Sequence, residues 1–216
     1  DSLSCPLAMI ALDIEVVSDV VCPWCWVGKR RLERALAERP QIEPHITWRP
    51  FLLHPWLPPE GTDRESLYLQ KFGTPRAAGE LVSRIEEAGR PVGLDFRFDR
   101  IGRVPDSTAA HCVLRWALAE GPAVQGELVE RLFRAYFVEG RNIARPEVLV
   151  AIAENAGLSG EAALEALQDG RFAAAVDADW TRARSLGVTA VPTLLYEGQS
   201  LVGFQPYPAF RRLITG

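Results

Sequence analysis

Cys22 and Cys25, spaced as Cys22-Pro23-Trp24-Cys25, are the residues best suited to chemistry in this chain. A cysteine attacks a disulfide as the thiolate, and an ordinary thiol with a pKa near ~8.5 is mostly protonated at neutral pH. A helix start favours negative charge, because its first backbone N–H groups are unpaired and its macrodipole is positive there. Pro23 suits the first helical position, where a missing N–H costs nothing, and so puts Cys22 at the entry of a helix. Cys25 then lies one turn inside on the same side, close enough to attack a mixed disulfide at Cys22. The expectation is an exposed nucleophile at Cys22 and a resolving thiol at Cys25, with Pro23 and Trp24 tuning the redox poise.

A Cys-x-x-Cys pair is also half of a zinc site, but zinc needs two more ligands, preferably a second close pair. Cys5, Cys112, His45, His54 and His111 are scattered. Strand, Cys-x-x-Cys, helix is the redox arrangement, so no metal is expected. A non-enzymatic zinc-held or chaperone-like module stands as the alternative of another class.

The elements around the pair are legible. Ile14-Glu15-Val16-Val17-Ser18 reads as a buried strand within Leu12 to Val21, and Gly28, Leu32, Ala35 and Leu36 form one close-packing face of the following helix. A second strand from Pro44 to about Leu53 makes a right-handed parallel crossover the natural connection. After the stiff His54-Pro55-Trp56-Leu57-Pro58-Pro59 linker the pattern turns helical. Thr62 with Glu65 forms a capping-box pattern for a helix to Phe72. Apolar residues then mark helices around Ile85, Val113, Phe133, Leu149 and Val176, with Ser159 capping a short one. Thr193 to Tyr196 and Ser200 to Phe204 read as a hairpin turning at Gly198, before a closing helix through Phe210. The expected fold class is α/β: a core at residues 12–58 and 171–216, interrupted by an all-helical insertion at 59–170.

Bulk properties narrow the classes. With 216 residues, 48% of them hydrophobic and 24% charged, the chain can bury a real core. A formal net charge of −4, with acids and bases interleaved, argues against nucleic acid. No apolar run approaches the ~18 residues of a membrane helix, and Pro6 to Leu12 lacks the basic flank of a signal peptide. Four cysteines are too few for a disulfide scaffold. The expected location is the cytoplasm, although the chain begins at Asp1 rather than at a methionine.

These residues resemble the DsbA-like branch of the thioredoxin superfamily, and within it FrnE-like members. The resemblance runs from about Ile14 to Leu213. It rests on Asp19-Val20-Val21-Cys22-Pro23-Trp24-Cys25-Trp26-Val27-Gly28, Trp48-Arg49-Pro50-Phe51-Leu52-Leu53, and Pro105-Asp106-Ser107 followed by Ala110-His111. Further on it rests on Ala135-Tyr136-Phe137-Val138-Glu139-Gly140 and Gly187-Val188-Thr189-Ala190-Val191-Pro192-Thr193. Asp106, where relatives carry asparagine, and Cys112 after His111 depart from the pattern.

The resemblance implies a thioredoxin-like core with a mixed four-stranded sheet and flanking helices. It implies disulfide exchange on protein thiols or small thiols, without an organic cofactor, and with glutathione as a candidate redox partner. It also implies that Pro192 is cis and lies beside Cys22, leaving the Val191 backbone to pair with a substrate strand. A plain strand-entry proline is the other reading of Pro192. Similar chains include 2-hydroxychromene-2-carboxylate isomerases and kappa-class glutathione transferases, which place serine at the first cysteine position. A glutathione-dependent isomerase or transferase is therefore the runner-up, and the presence of Cys25 favours dithiol chemistry over it.

Other residues carry smaller expectations. By resemblance His111 lines the cleft near Cys22 and stabilises its thiolate; a satisfied structural histidine is the equal reading. Asp19 reads as a turn former ahead of the motif, with a proton relay to Cys25 as the second reading. Trp26 and Trp48 read as core aromatics and Lys29 as solvated. Cys5 and Cys112 read as accessory, Cys112 being buried and inert.

Overall fold

The computed structural model describes residues 9–215; Cys5, and the accessory role expected for it, lie outside them. Strand β1 (Ile10–Ser18) buries Leu12, Ile14, Val16 and Val17. It stops at Ser18 because Asp19 turns the chain: its carbonyl accepts from Cys22 N at 3.0 Å and its carboxylate lies 3.4 Å from Val21 N. Helix α1 (Pro23–Ala37) follows, and strand β2 (Ile42–Pro50) returns parallel to β1 in register from Ile10–Ile42 to Ser18–Pro50.

The chain then forms a short ribbon of β3 (Thr62–Asp63), followed by α2 (Arg64–Phe72) and α3 (Pro75–Gly89), with β4 (Arg103–Val104) antiparallel to β3. Helices α4 (Thr108–Glu120), α5 (Pro122–Phe137), α6 (Pro146–Asn155), α7 (Gly160–Gln168) and α8 (Gly170–Ser185) come next. A hairpin of β5 (Thr193–Tyr196) and β6 (Gln199–Val202) and helix α9 (Tyr207–Leu213) complete the fold. The capping box expected at Thr62 is displaced by one residue. Thr62 is taken by the β3–β4 ribbon, and Asp63 caps α2 by accepting from Ser66 N at 2.8 Å. Aspartate serves that position as well as threonine.

The larger sheet has the order β2-β1-β5-β6, so the fold is a mixed four-stranded sheet with helices around it. Antiparallel pairing of Val17 with Thr193 matters most for the site. The Cys22 turn leaves β1 at the end of the sheet where β5 begins, which brings Pro192 to the cysteines. One hydrophobic core runs from Leu12 and Leu194 in the sheet to Phe133, Phe137 and Leu149 in the helices. Trp26 joins the two regions, with its ring stacked on Phe133 and Phe137 at 5.9 and 6.1 Å and edge-on to Phe96 at 5.5 Å. Trp26 and Trp48 are both buried, as core aromatics should be.

Strand β2 is an edge, and an open edge invites unwanted pairing. Gln125 of α5, 1% exposed, closes it. Its Oε1 accepts from Trp48 N at 2.8 Å, and its Nε2 donates to Trp48 O at 3.0 Å and Leu114 O at 3.1 Å. The side-chain amide thus stands in for a neighbouring strand at one residue. By alternation Pro44 and Pro50 occupy the same outward positions and offer no N–H. Gln125→Leu, close in volume, should leave these backbone groups buried and unpaired. We expect a loss of about 2–4 kcal/mol, read as a fall in Tm of roughly 5–12 °C. A change below 2 °C would show that water replaces the amide at no cost.

Candidate active site

Cys22 occupies the N-cap of α1 with extended backbone (φ −95°, ψ 111°), followed by Pro23 at the first helical position. Its carbonyl accepts from Cys25 N at 3.1 Å, which closes the first turn and sets Cys25 inside it. The expectation of an exposed nucleophile needs correction. Cys22 is only 5% exposed, and its Sγ lies 3.8 Å from the carbonyl oxygen of Val191. The loop that covers it is 169 residues away in sequence, so exposure could not be read from the local motif.

The Val191–Pro192 peptide bond is cis. Gly203 N donates to Pro192 O at 2.7 Å and Thr193 Oγ1 to Ala190 O at 2.7 Å, so both sides of the loop are fixed. Gly28 lets α1 approach it: a Cβ there would sit 2.9 Å from Pro192 Cγ. That gap is closer than carbon atoms pack, and a rigid proline ring has little freedom to yield. The sequence thus brings Cys22, Cys25, Val191 and Pro192 together through one turn of helix, one strand pairing and one glycine.

Cys25 is wholly buried. Burial pushes its thiol well above the usual range, and the Cys22 sulfur raises it further by hydrogen bond and charge. Hydrogen bonding by the Asp19 backbone works in the other direction, and the Asp19 carboxylate adds a smaller upward push. The two thiols are therefore unlike: one is at a helix entry against a carbonyl, the other is sealed beneath it.

Asp19 does more than form a turn. It is 0% exposed, its Oδ2 accepts from Leu53 N at 2.8 Å, and its Oδ1 lies 3.3 Å from His111 Nε2. His111, 3% exposed, is thus paired with Asp19 beneath the motif. Trp24 is half-buried and packs on Phe204 with ring centroids 4.3 Å apart; the Arg31 guanidinium sits over the other ring at 4.2 Å. Phe204, expected as the last residue of the second hairpin strand, instead follows β6, which ends at Val202, and its place against Trp24 had no signal in the sequence.

Lys29 also needs correction. It is 8% exposed rather than solvated, because α5 lies over that face of α1, and it pairs with Glu33 and Glu130. Tyr68 of α2 was not anticipated either. Burial raises its phenol, Arg64 opposes by charge and hydrogen bond, and Cys22 adds a smaller upward push. Among the described residues no group of three or more His, Cys, Asp or Glu side chains is placed to share a metal ion. No described helix is long and apolar enough to cross a membrane.

Cys112 lies apart from this site in α4 and is 5% exposed. Burial, with a contribution from the charge of Asp106, pushes its thiol up to about 11. At pH 8 only about one Cys112 in a thousand would then be thiolate. In a Cys5→Ser background with the Cys22–Cys25 pair oxidised, we expect negligible alkylation of Cys112 at pH 8 until denaturant unfolds the chain. Rapid labelling of the folded protein would expose a mobile cysteine.

Comparison with known proteins agrees with this geometry. The model of the DSBA-like thioredoxin domain family matches residues 13–215, and the chain belongs to that family. An uncharacterized Bacillus subtilis protein, YwbO, is 25% identical over 207 residues, which are 95% of this chain and 97% of YwbO. A probable DsbA oxidoreductase of Streptomyces coelicolor superposes with a TM-score of 0.85 at 28% identity, covering 94% of this chain and 88% of that one. The cytosolic disulfide reductase DsbM of Pseudomonas aeruginosa, solved with GSH, shares the fold with a TM-score of 0.63 at 22% identity, covering 94% and 97%.

Proposed function

We propose that this protein is a thiol–disulfide oxidoreductase in which Cys22 attacks and Cys25 resolves, of the FrnE-like kind. The observation that carries the reading is the placement of Cys22 Sγ at a helix entry, 3.8 Å from the carbonyl preceding a cis proline, with Cys25 buried one turn below. Residues 12–58 and 171–216 act as the redox core, and the inserted segment 59–170 roofs it.

In the reductive direction the Cys22 thiolate attacks a substrate disulfide, joining its sulfur to one half and releasing the other as thiolate. The Cys25 thiol then loses its proton and attacks Cys22 Sγ. A Cys22–Cys25 disulfide forms, and the second substrate thiol leaves. The substrate is reduced by two electrons and the pair oxidised by two; run backwards, the steps oxidise a dithiol. Once Cys22 is in the mixed disulfide, its thiol no longer occupies the Val191 carbonyl, which becomes available to an extended substrate segment. Protein disulfides and small thiols such as glutathione fit this chemistry. The pair carries the electrons without an organic cofactor, in a cytoplasmic setting where glutathione is the ambient thiol.

Equilibration of the reduced protein in mixtures of reduced and oxidised glutathione tests the reading. We expect an intramolecular Cys22–Cys25 disulfide, seen as the loss of two hydrogens by mass, together with turnover of insulin disulfides. Glutathione-dependent isomerisation that persists in Cys25→Ala, without disulfide turnover, would count for the isomerase or transferase reading instead.

A further inference from the structure

Glu130 of α5 gathers three donors from α1. Trp26 Nε1 lies 3.2 Å from each of its carboxylate oxygens, Lys29 Nζ lies 2.8 Å from Oε2, and the Arg30 guanidinium binds Oε1. Glu33 completes the group by pairing with Lys29 and, at 3.0 Å, with Arg30. Two cations and two carboxylates balance. The Lys29 side chain is 8% exposed and that of Glu130 22%, so the inner pair is poorly screened by water.

The position of this cluster gives it a consequence for the redox pair. Cys22, Cys25 and Lys29 follow at spacings of three and four residues, so they share one stripe of α1. Lys29 lies on that stripe one turn after Cys25, with its ammonium held between Glu33 and Glu130. Trp26, the first residue after the motif, is held by the same carboxylate. We propose that Glu130 is a positioning residue for the redox pair: it clamps the first two turns of α1 through Trp26 and Lys29 and neutralises the cations below the cysteines. This inference rests on the dithiol reading above.

The sign of its effect follows from charge. In the exchange of protein disulfide and two glutathione thiols for protein dithiol and glutathione disulfide, only the dithiol side has a free sulfur at Cys22 that can carry negative charge. A cation lower on the stripe favours that charge and hence the reduced pair. Glu130 cancels the attraction, and Lys29 supplies it.

The test compares Glu130→Gln, Lys29→Met and the double variant in glutathione mixtures, with thermal unfolding measured alongside. Each single variant breaks the same ion pair, so both lower the unfolding temperature. Their redox shifts should oppose each other. Glu130→Gln moves the equilibrium about threefold or more toward the dithiol, and Lys29→Met about threefold or more toward the disulfide, roughly 14 mV each way for a two-electron couple. The double variant returns close to the unsubstituted value. A merely structural clamp would move both singles the same way or neither, and either result overturns the proposal. If Glu130→Gln does not fold, Lys29→Met and the half-exposed Arg30→Gln must both shift toward the disulfide, and no shift in that pair overturns it. Failure of the unsubstituted protein to form the Cys22–Cys25 disulfide in any mixture would instead remove the dithiol reading itself, before any variant is compared.

Discussion

Cys22→Ser should reduce insulin-disulfide turnover to the background of the thiol reductant alone, whereas Cys25→Ala should trap substrate as a stable mixed disulfide at Cys22. The asymmetry comes from the position of each sulfur. Cys22 stands at the N-cap of α1 beside the Val191 loop, and serine at that place is not a nucleophile toward disulfides. Cys25 is sealed in the core and can reach only what is already attached to Cys22. Mass analysis after quenching in acid distinguishes the two variants: one adduct per chain for Cys25→Ala, none for Cys22→Ser. A reversed pattern, with adducts carried by Cys25, would exchange the two roles and place the entry path on the other side of the loop.

Closure of the mixed disulfide should speed up about tenfold for each pH unit between 7 and 9. Below its pKa a thiol supplies thiolate in direct proportion to hydroxide, and Cys25 is raised well above the ordinary range, first by burial. In the mixed disulfide the hydrogen bond and charge of Cys22 no longer act on it, since that sulfur is covalently neutral. Burial, the largest cause, remains; the Asp19 backbone hydrogen bond still opposes it, and the Asp19 charge still adds a smaller upward push. The sign is therefore unchanged: a raised pKa keeps Cys25 protonated through neutrality, and rising pH releases the attacking form. Rapid-quench measurement of the second phase of reaction with oxidised glutathione reads this directly. A rate that levels off at or below pH 8 would mean that Cys25 ionises in the ordinary range once Cys22 is bonded, or that a buried base takes its proton.

Much of this was legible because it depends on neighbours in the chain. The Pro23 helix start, the run of apolar residues in β1, the hairpin turn at Gly198, and the glycine and proline stops are short-range signals, and they gave most elements within two or three residues. The shift at the start of α2 shows the limit of such signals. Thr62 and Asp63 are both good caps, and only the pairing of β3 with β4 decided between them. Lys29 failed for a related reason. Lysine is rarely buried unless paired, and its partner Glu130 lies on a helix whose docking on α1 leaves no trace in local sequence.

What the sequence by itself determined is the placement of the two cysteines: a turn apart, with a proline between them that starts the helix at Cys22. Residue types and spacings of three or four suffice for that, since helix geometry converts them directly into positions. The tertiary structure alone decided how the pair is covered and charged. The Val191 loop over Cys22, the Asp19–His111 pair beneath the motif, the Gln125 amide on the open strand and the Glu130 clamp all join residues far apart in the chain. Burial and partner choice are properties of the packed surfaces that meet, so they exist only once sheet register and helix docking have brought those surfaces together.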